Sequence, residues 1–283
     1  MTRKRYALFG QPVEHSLSPR IHAWFARQTG IALDYIAHET SPAEFARSLD
    51  DFARNGGAGA NVTQPLKALA LAQCATLGSA AQRAGVVNTL TRRDGAWHGD
   101  NTDGTGLLHD LTERLRQDLR GRRTLMLGAG GAAAGVLPAL LDAGVESVTL
   151  VNRTPQRAER LVERHDDPAR VHARYWPDLA NLGAFDFIVD ATSAGHGESA
   201  LDLPFAISGS RTLAVSLSYG AAASRFLAWA RAAECSEIHD GLGMLVEQAA
   251  GSFAIWHGLR PDTEDLHREL RTGKTEAGLL ATD

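Results

Sequence analysis

Short apolar runs alternate along most of the chain with stretches whose apolar positions recur at helical spacing. That is the pattern of an α/β protein. Residues 6–10 read as a first strand. Ser18-Pro19 opens a helix through residue 26, with Ser as N-cap and Pro in the first turn. A strand at 33–38, a helix at 42–52 and a short strand at 59–62 follow, and Pro65 opens another helix. Residues 86–91 and 96–98 read as strands joined by a turn at Arg93-Asp94-Gly95, and a long helix is expected over 102–119. A new βαβ pattern begins after Arg120-Gly121-Arg122-Arg123: strand 124–127, helix 132–143, strand 147–152, helix 155–164. Strands at 185–190 and 211–215 continue the sheet. A helix at 222–233, a strand at 237–239 and helices at 243–256 and 262–271 complete the pattern. The tail to Asp283 has no apolar period and is expected to be loose.

At 283 residues, 44% of them hydrophobic and 22% charged, the chain can bury a sizeable core and is long enough for two domains. The formal net charge of -4 and the pI near 6.3 lack the basic excess of nucleic-acid binders. No apolar run is long enough to span a membrane. The basic start, Met1 to Tyr6, enters a strand with no signal-peptide core behind it, so a cytoplasmic location is expected. Cys74 and Cys235 match no metal or redox spacing and read as free, mostly buried thiols. The eleven histidines show no ligand spacing such as His-Glu-x-x-His, so no metal is expected. His15 and His22, flanking the first helix, read as structural. Serine hydrolysis would need a Gly-x-Ser-x-Gly elbow, which is absent.

The sharpest single motif is Gly128-Ala129-Gly130-Gly131-Ala132-Ala133, following the strand Thr124-Leu125-Met126-Leu127 and opening a helix. Gly128 allows a tight turn, Gly130 a close approach to a pyrophosphate, and Ala133 close helix–strand packing. The helix start offers unpaired N–H groups to the phosphates. The next strand ends Leu150-Val151-Asn152-Arg153-Thr154, with Arg157 one turn on. An NAD site usually places Asp or Glu there for the ribose 2′-hydroxyl. Two guanidinium groups suit a 2′-phosphate instead, so the expected cofactor is NADP. Thr192-Ser193, after the strand ending at Asp190, is placed to touch the cofactor or to cap a helix.

Four polar segments punctuate the first half. Ser16-Leu17-Ser18-Pro19 puts two hydroxyls at a helix start, a good seat for a carboxylate. In Asn61-Val62-Thr63-Gln64-Pro65-Leu66-Lys67, Asn61 and Thr63 alternate with apolar neighbours and point the same way off a strand. Lys67 then falls in a first helical turn, where a cation opposes the macrodipole. Of the chain's three lysines, Lys4, Lys67 and Lys274, it alone sits mid-chain, and lysine can exchange a proton where arginine cannot. Val86-Val87-Asn88-Thr89 and Asp100-Asn101-Thr102-Asp103-Gly104 are the other two segments. Asp103 also reads as a first-turn acid.

Together, Ser-x-Ser-Pro, Gly-Ala-Asn-Val-Thr-x-Pro-x-Lys, Val-Asn-Thr, Gly-Asp-Asn-Thr-Asp-Gly, Gly-Ala-Gly-Gly-Ala, Asn-Arg-Thr-x-x-Arg and Asp-Gly-Leu-Gly-Met-Leu-x-x-Gln-Ala resemble the shikimate dehydrogenase family. They occur in the family's order from Ser16 to Ala249. The resemblance implies two α/β domains flanking a cleft: a substrate domain (1–104 and 240–283) and a Rossmann-type NADP domain (105–239). It implies reversible NADP-linked reduction of 3-dehydroshikimate to shikimate. Lys67 would be the acid/base, paired with Asp103. Ser16 and Ser18 would bind the substrate carboxylate, and Asn61, Thr63, Asn88, Tyr219 and Gln248 would complete the substrate site. NADP would lie on Gly128, Ala129, Gly130, Gly131, Ala132, Asn152, Arg153, Thr154 and Arg157, with Thr192, Gly241 and Met244 near its reactive end. Lysine is a poor base unless burial destabilises its ammonium, and a neighbouring carboxylate acts the other way. The two are therefore expected to act as a coupled unit.

Two positions depart from the family. The strand before Tyr219 often carries an acid and a Met there, but reads Val215-Ser216-Leu217-Ser218 here. An acidic position after Lys67 is Ser79. Broader use of quinate or NAD, or a non-catalytic NADP-binding regulator on the same fold, are the alternative readings. The retained Lys67 and Asp103 favour the enzyme. The expected assembly is a monomer or a homodimer.

Overall fold

The computed structural model describes residues 3–192 and 202–272; Met1, Thr2, Ser193, Lys274 and the tail to Asp283 lie outside them. The described residues form two six-stranded sheets with helices packed on them.

In the first sheet β1 (Lys4–Gly10) is buried from Tyr6 onward, because it pairs on both sides. Its neighbours, β2 (Leu33–Glu39) and β3 (Gly57–Val62), run parallel to it. The crossings are α1 (Ser18–Thr29) and α2 (Phe45–Arg54). β5 (Thr89–Arg93) pairs antiparallel with β3 and with β6 (Ala96–Asp100). β4 (Thr76–Leu77) lies parallel to β6 at the edge, giving the order β2-β1-β3-β5-β6-β4.

The second sheet is parallel throughout, in the order β12-β11-β10-β7-β8-β9. These are β7 (Arg123–Leu127), β8 (Ser147–Val151), β9 (Val171–Arg174), β10 (Phe187–Asp190), β11 (Leu213–Ser216) and β12 (Glu237–His239). The strand order reverses between β7 and β10, the switch point at which dinucleotide folds open a crevice. Helices α6 (Gly131–Asp142), α7 (Pro155–His165) and α8 (Ser224–Ala232) cover the sheet. Separate apolar clusters occupy its two faces, one around Met126, Val136 and Val189, the other around Leu127, Ile188 and Phe226.

The chain then returns to the first half. α9 (Leu242–His257) and α10 (Glu264–Thr272) pack on α1 through Ile21, Phe25, Val246, Phe253 and Leu266. Glu247, buried on α9, accepts from Thr263 Oγ1 (2.6 Å) and pairs with His267 (2.9 Å) and Arg260, which ties α10 down. α5 (Asp103–Leu108) packs against both α6 and α9 and so joins the two halves.

Several elements differ from their expected form. The helix expected over 102–119 is α5 followed by a π-helical stretch, His109–Arg114, and Arg116 then adopts a positive φ of 55°. The wider turn buries Asp110, which accepts from Arg114 Nε at 2.6 Å and lies hard against Gly243 at the start of α9. The helix opened by Pro65 is broken into α3 (Lys67–Leu71), β4 and α4 (Ser79–Ala84). The strand expected from Val86 begins at Thr89, because Val87 N donates to Lys67 O (3.0 Å) rather than into the ladder. α2 starts at Phe45, after a turn. β9 carries only one fully buried residue, Val171, and so shows no apolar alternation in sequence. Ser18 is not an N-cap: Leu17 takes that position and no side chain caps the helix. His22, read as structural, is wholly buried and stacked on Tyr35 (centroids 4.2 Å apart), and burial holds its imidazole down to about 3. Cys74 and Cys235 are free thiols. No helix among the described residues is long and apolar enough to cross a membrane.

Candidate active site

Between the sheets, where β1, β3, β10 and β11 end, lies a cleft of about 530 Å³. The first sheet lines it from within the segments 12–18 and 61–67, Ser16, Ser18, Thr63 and Lys67 among them, together with Asn88 and Asp103. The second contributes Ala191, Thr192 and residues 217–222, and α9 contributes Met244, Leu245 and Gln248.

At its centre Lys67 Nζ donates to Asp103 Oδ2 at 2.6 Å. The two side chains are only 13% and 4% exposed, so water screens the pair weakly. Each reaches this point for a local reason. Lys67 starts α3, where the chain turns back off β3. Asp103 starts α5, and its N–H donates to Asn101 Oδ1 (3.0 Å). Asn101 Nδ2 in turn donates to Val86 O (3.1 Å). The second oxygen of Asp103 accepts from Asn88 Nδ2 at 2.9 Å. Asn88 Oδ1 accepts from Thr102 N (2.9 Å) and Thr89 Oγ1 (2.8 Å), which fixes which way the amide faces. Gln248 Oε1 lies 3.3 Å from Asn88 Nδ2. Both oxygens of Asp103 are therefore held, and the carboxylate can orient Lys67 rather than swing toward water.

Ser16, Ser18, Thr63, Tyr219 and Gln248 all line the cleft. The two serine hydroxyls are 3.2 Å apart, and Ser16 Oγ accepts from Ser18 N at 3.2 Å, beside the start of α1. The Tyr219 hydroxyl, coming from the other sheet, faces Leu17 N at 3.5 Å. Asn61 also lines the cleft, but its amide is already engaged. Its oxygen accepts from Tyr35 Oη (2.8 Å), and its nitrogen donates toward Ser252 Oγ (2.8 Å) and Asn88 O (3.2 Å). His15, expected to be structural, instead lies on the cleft wall.

The glycine turn lies where β7 ends. Gly128 has a φ of 103°, a conformation that favours glycine, and a Cβ there would meet Ala191 O at 2.7 Å. At Gly130 a Cβ would meet nothing within 4 Å, leaving the backbone open to a ligand. Ala129 N donates to Asn152 Oδ1 (3.1 Å), and Asn152 Nδ2 donates to Thr154 O (2.8 Å), so Asn152 links the turn to the end of β8. Arg153, Thr154 and Arg157 are exposed at the start of α7, and among the described residues neither arginine forms an ion pair. An open turn at a helix N-terminus, beside two uncommitted guanidinium groups, fits the diphosphate and 2′-phosphate of NADP. Gly131 meets the Lys67–Asp103 pair directly, since a Cβ there would sit 3.3 Å from Lys67 Cβ. Ala132, Thr192, Gly241 and Met244 line the cleft next to it.

The structure adds residues that sequence reading does not single out. Asn101, Thr102 and Gly135 shape the surroundings of Asp103, and Asp190 lies buried beneath Thr192. Asn101 and Thr102 stand in a polar segment already noted, but no local pattern marks Gly135 or Asp190. Among the described residues no group of three or more His, Cys, Asp or Glu is arranged to hold a metal ion.

Three family models match the chain: the shikimate dehydrogenase substrate binding domain over residues 8–90, shikimate / quinate 5-dehydrogenase over 110–197, and the shikimate 5′-dehydrogenase C-terminal domain over 241–271. A shikimate dehydrogenase (NADP(+)) from Xanthomonas campestris pv. campestris (strain 8004) is 56% identical over 285 residues, covering 100% of both chains. One from Xylella fastidiosa (strain 9a5c) is 56% identical over 274 residues, covering 96% of this chain and 97% of that one. Among solved structures, shikimate 5-dehydrogenase from Thermus thermophilus in complex with NADP(H) and shikimate superposes with a TM-score of 0.82. It is 34% identical and covers 96% of this chain and 100% of its own.

Proposed function

The chain belongs to the shikimate dehydrogenase family, and on that premise we propose how its cleft residues carry out the reversible NADP-linked reduction of 3-dehydroshikimate to shikimate. The protein is an oxidoreductase acting on a CH–OH group, with NADP as its cofactor. The observation that carries the assignment of roles is the Lys67–Asp103 pair, 2.6 Å apart, set against the glycine turn.

The hydroxyls of Ser16 and Ser18, at the positive end of α1, bind the substrate carboxylate. Tyr219 reaches the same corner from the other sheet. Thr63, Asn88 and Gln248 take the ring hydroxyls. Asn61 acts differently from the expectation of a direct contact: its amide is engaged by protein, so it braces Asn88 and Tyr35. This arrangement leaves the reacting carbinol facing Lys67 Nζ. When bound, NADP accepts or supplies the hydride. During oxidation Lys67 takes the hydroxyl proton as the carbinol carbon becomes a carbonyl, and during reduction it returns that proton. Asp103, anchored by Asn88, keeps Nζ aimed at the oxygen. Such positioned acid–base assistance contributes roughly 10²–10⁴-fold.

On the cofactor side, Gly128 to Ala132 seat the diphosphate and Asn152 holds the turn in shape. Thr154 stands at the same rim, where Arg153 and Arg157 take the 2′-phosphate. Thr192, Gly241 and Met244 border the nicotinamide end. The division into a substrate domain of residues 1–104 and 240–283 and an NADP domain of 105–239 belongs to this reading. So do a cytoplasmic location and a monomeric or homodimeric state, which sedimentation would distinguish.

Initial rates with shikimate or quinate, each with NADP or NAD, test the reading. Shikimate with NADP is expected to be the fastest pair by at least roughly tenfold, the size of one well-placed interaction. A wild-type protein that binds NADP but does not reduce it with shikimate would overturn the substrate assignment.

A further inference from the structure

Asp190 ends β10 and is 4% exposed. In the sheet it stands level with Leu127 of β7 and Ser216 of β11. Its Oδ1 accepts from both the N–H (3.1 Å) and the hydroxyl (2.7 Å) of Thr192. Its Oδ2 accepts from Ser216 Oγ at 3.0 Å, and Ser216 Oγ accepts from Ser218 N at 3.2 Å. One buried carboxyl thus ties the chain leaving β10 to the chain leaving β11.

Those two exits line the cleft that Lys67 also lines, through Ala191 and Thr192 from β10 and Leu217 and Ser218 from β11. The same lining abuts the glycine turn, since Ala191 N donates to Leu127 O (2.8 Å) and Ala191 O faces Gly128. A nicotinamide seated in this cleft would share it with Lys67 and with these two segments. Ser216 is the β11 residue that meets the Asp190 carboxyl, and it passes the link on to the backbone of Ser218. Burial raises the Asp190 carboxyl above its ordinary value, and the bonds from Thr192 and Ser216 offset part of that.

We infer that Asp190 is a positioning residue for hydride transfer: by tying the exits of β10 and β11 together it sets the part of the cleft lining against which the nicotinamide would rest. The inference rests on the NADP-linked reading above. A charged or polar carboxyl buried away from the reacting atoms costs free energy unless it is bonded. Here its partners are the backbone and side chains of two wall segments.

The test compares wild type, Ser216→Ala, Asp190→Ala and the double variant Asp190→Ser/Ser216→Asp, which moves the carboxyl one strand over. The readouts are kcat with shikimate and NADP, the NADP dissociation constant from quenching of intrinsic fluorescence, and the primary isotope effect with shikimate deuterated at the reacting carbon. A wall displaced by about 1 Å costs on the order of 10²-fold in rate. Asp190→Ala is therefore expected to lose roughly ten- to a hundredfold in kcat, with a larger isotope effect and an NADP dissociation constant within about threefold of wild type. Ser216→Ala, which removes one bond only, should lose less, and the double variant should recover most of the rate. Unchanged kcat in Asp190→Ala would overturn the inference. So would a double variant no better than Asp190→Ala, or a loss carried by NADP binding alone. If Asp190→Ala does not fold, an unchanged kcat in Ser216→Ala, or a double variant more than about tenfold slower than wild type, overturns the inference. An inactive wild type would instead refute the reading on which the inference rests.

Discussion

A methyl group at Gly135 would lie 2.6 Å from Oδ2 of Asp103, the same oxygen that accepts from Lys67 Nζ at 2.6 Å. The helix that starts at the glycine turn therefore passes directly beneath the Lys67–Asp103 pair. α6 carries the glycine turn at its start and packs against the carboxylate, and any bulk at Gly135 presses on the pair before it presses on anything else.

Gly135→Ala is accordingly expected to lower kcat by roughly a hundredfold, the cost of moving a reacting group by about 1 Å. The glycine turn is about one helical turn away from the pressure, so NADP binding should hold within a few-fold. Steady-state kinetics with a fluorescence titration of NADP checks this. A normal kcat with weakened NADP binding would show that the contact serves the cofactor and not the acid.

Asp103→Asn keeps the shape of the side chain and the bond to Asn88 but removes the charge that holds Lys67. A loss of roughly 10²–10⁴-fold in kcat is expected, with KM for NADP little changed. Retention of more than about a tenth of the wild-type rate would mean that Lys67 is oriented by something else.

Arg153→Ala and Arg157→Ala should each raise KM for NADP by about tenfold while leaving KM for NAD nearly unchanged, the size of one lost charge-assisted bond. Both side chains are exposed, so the effect should shrink as salt is added. Equal weakening toward both dinucleotides would place the 2′-phosphate elsewhere.

Glu247 ties α10 to α9. Burial pushes its carboxyl upward, but the bonds from His267 and Thr263 and the charge of Arg260 outweigh that and leave it below its ordinary value. A carboxyl lowered in the folded state adds stability above its unfolded value, near 4.5, and loses it as pH falls toward the folded value. Glu247→Gln should therefore be less stable at neutral pH, by on the order of 3 kcal/mol, and should lose less on acidification below about pH 5. Urea unfolding at several pH values measures both. Parallel pH profiles for the two proteins would remove Glu247 from the acid response.

The parts of the site legible in the sequence are those set by local chain geometry. Gly128 has to adopt a positive φ where a strand meets a helix, and Ser16-Leu17-Ser18-Pro19 has to start one. Lys67 stands out because a cation in a first helical turn opposes the macrodipole. Gly135, Asp190 and His15 are not legible, because their places come from what folds around them: Asp103, the exit of β11, and the other segments that line the cleft. Asn61 does point toward the site, as its alternation with apolar neighbours implies, but its partners Tyr35 and Ser252 come from a distant strand and helix. The π-helical stretch after α5 is hidden for the same reason, since the burial of Asp110 against Gly243 is a tertiary contact.

The most direct test of the account is shikimate oxidation by Lys67→Arg, which keeps a positive charge beside Asp103 but cannot give up a proton near neutral pH. The account predicts that shikimate and NADP still bind within a few-fold of wild type while kcat falls roughly 10²–10⁴-fold. An arginine variant that turns over within about tenfold of wild type would contradict it, and would leave Lys67 as a charge that holds substrate while another group moves the proton.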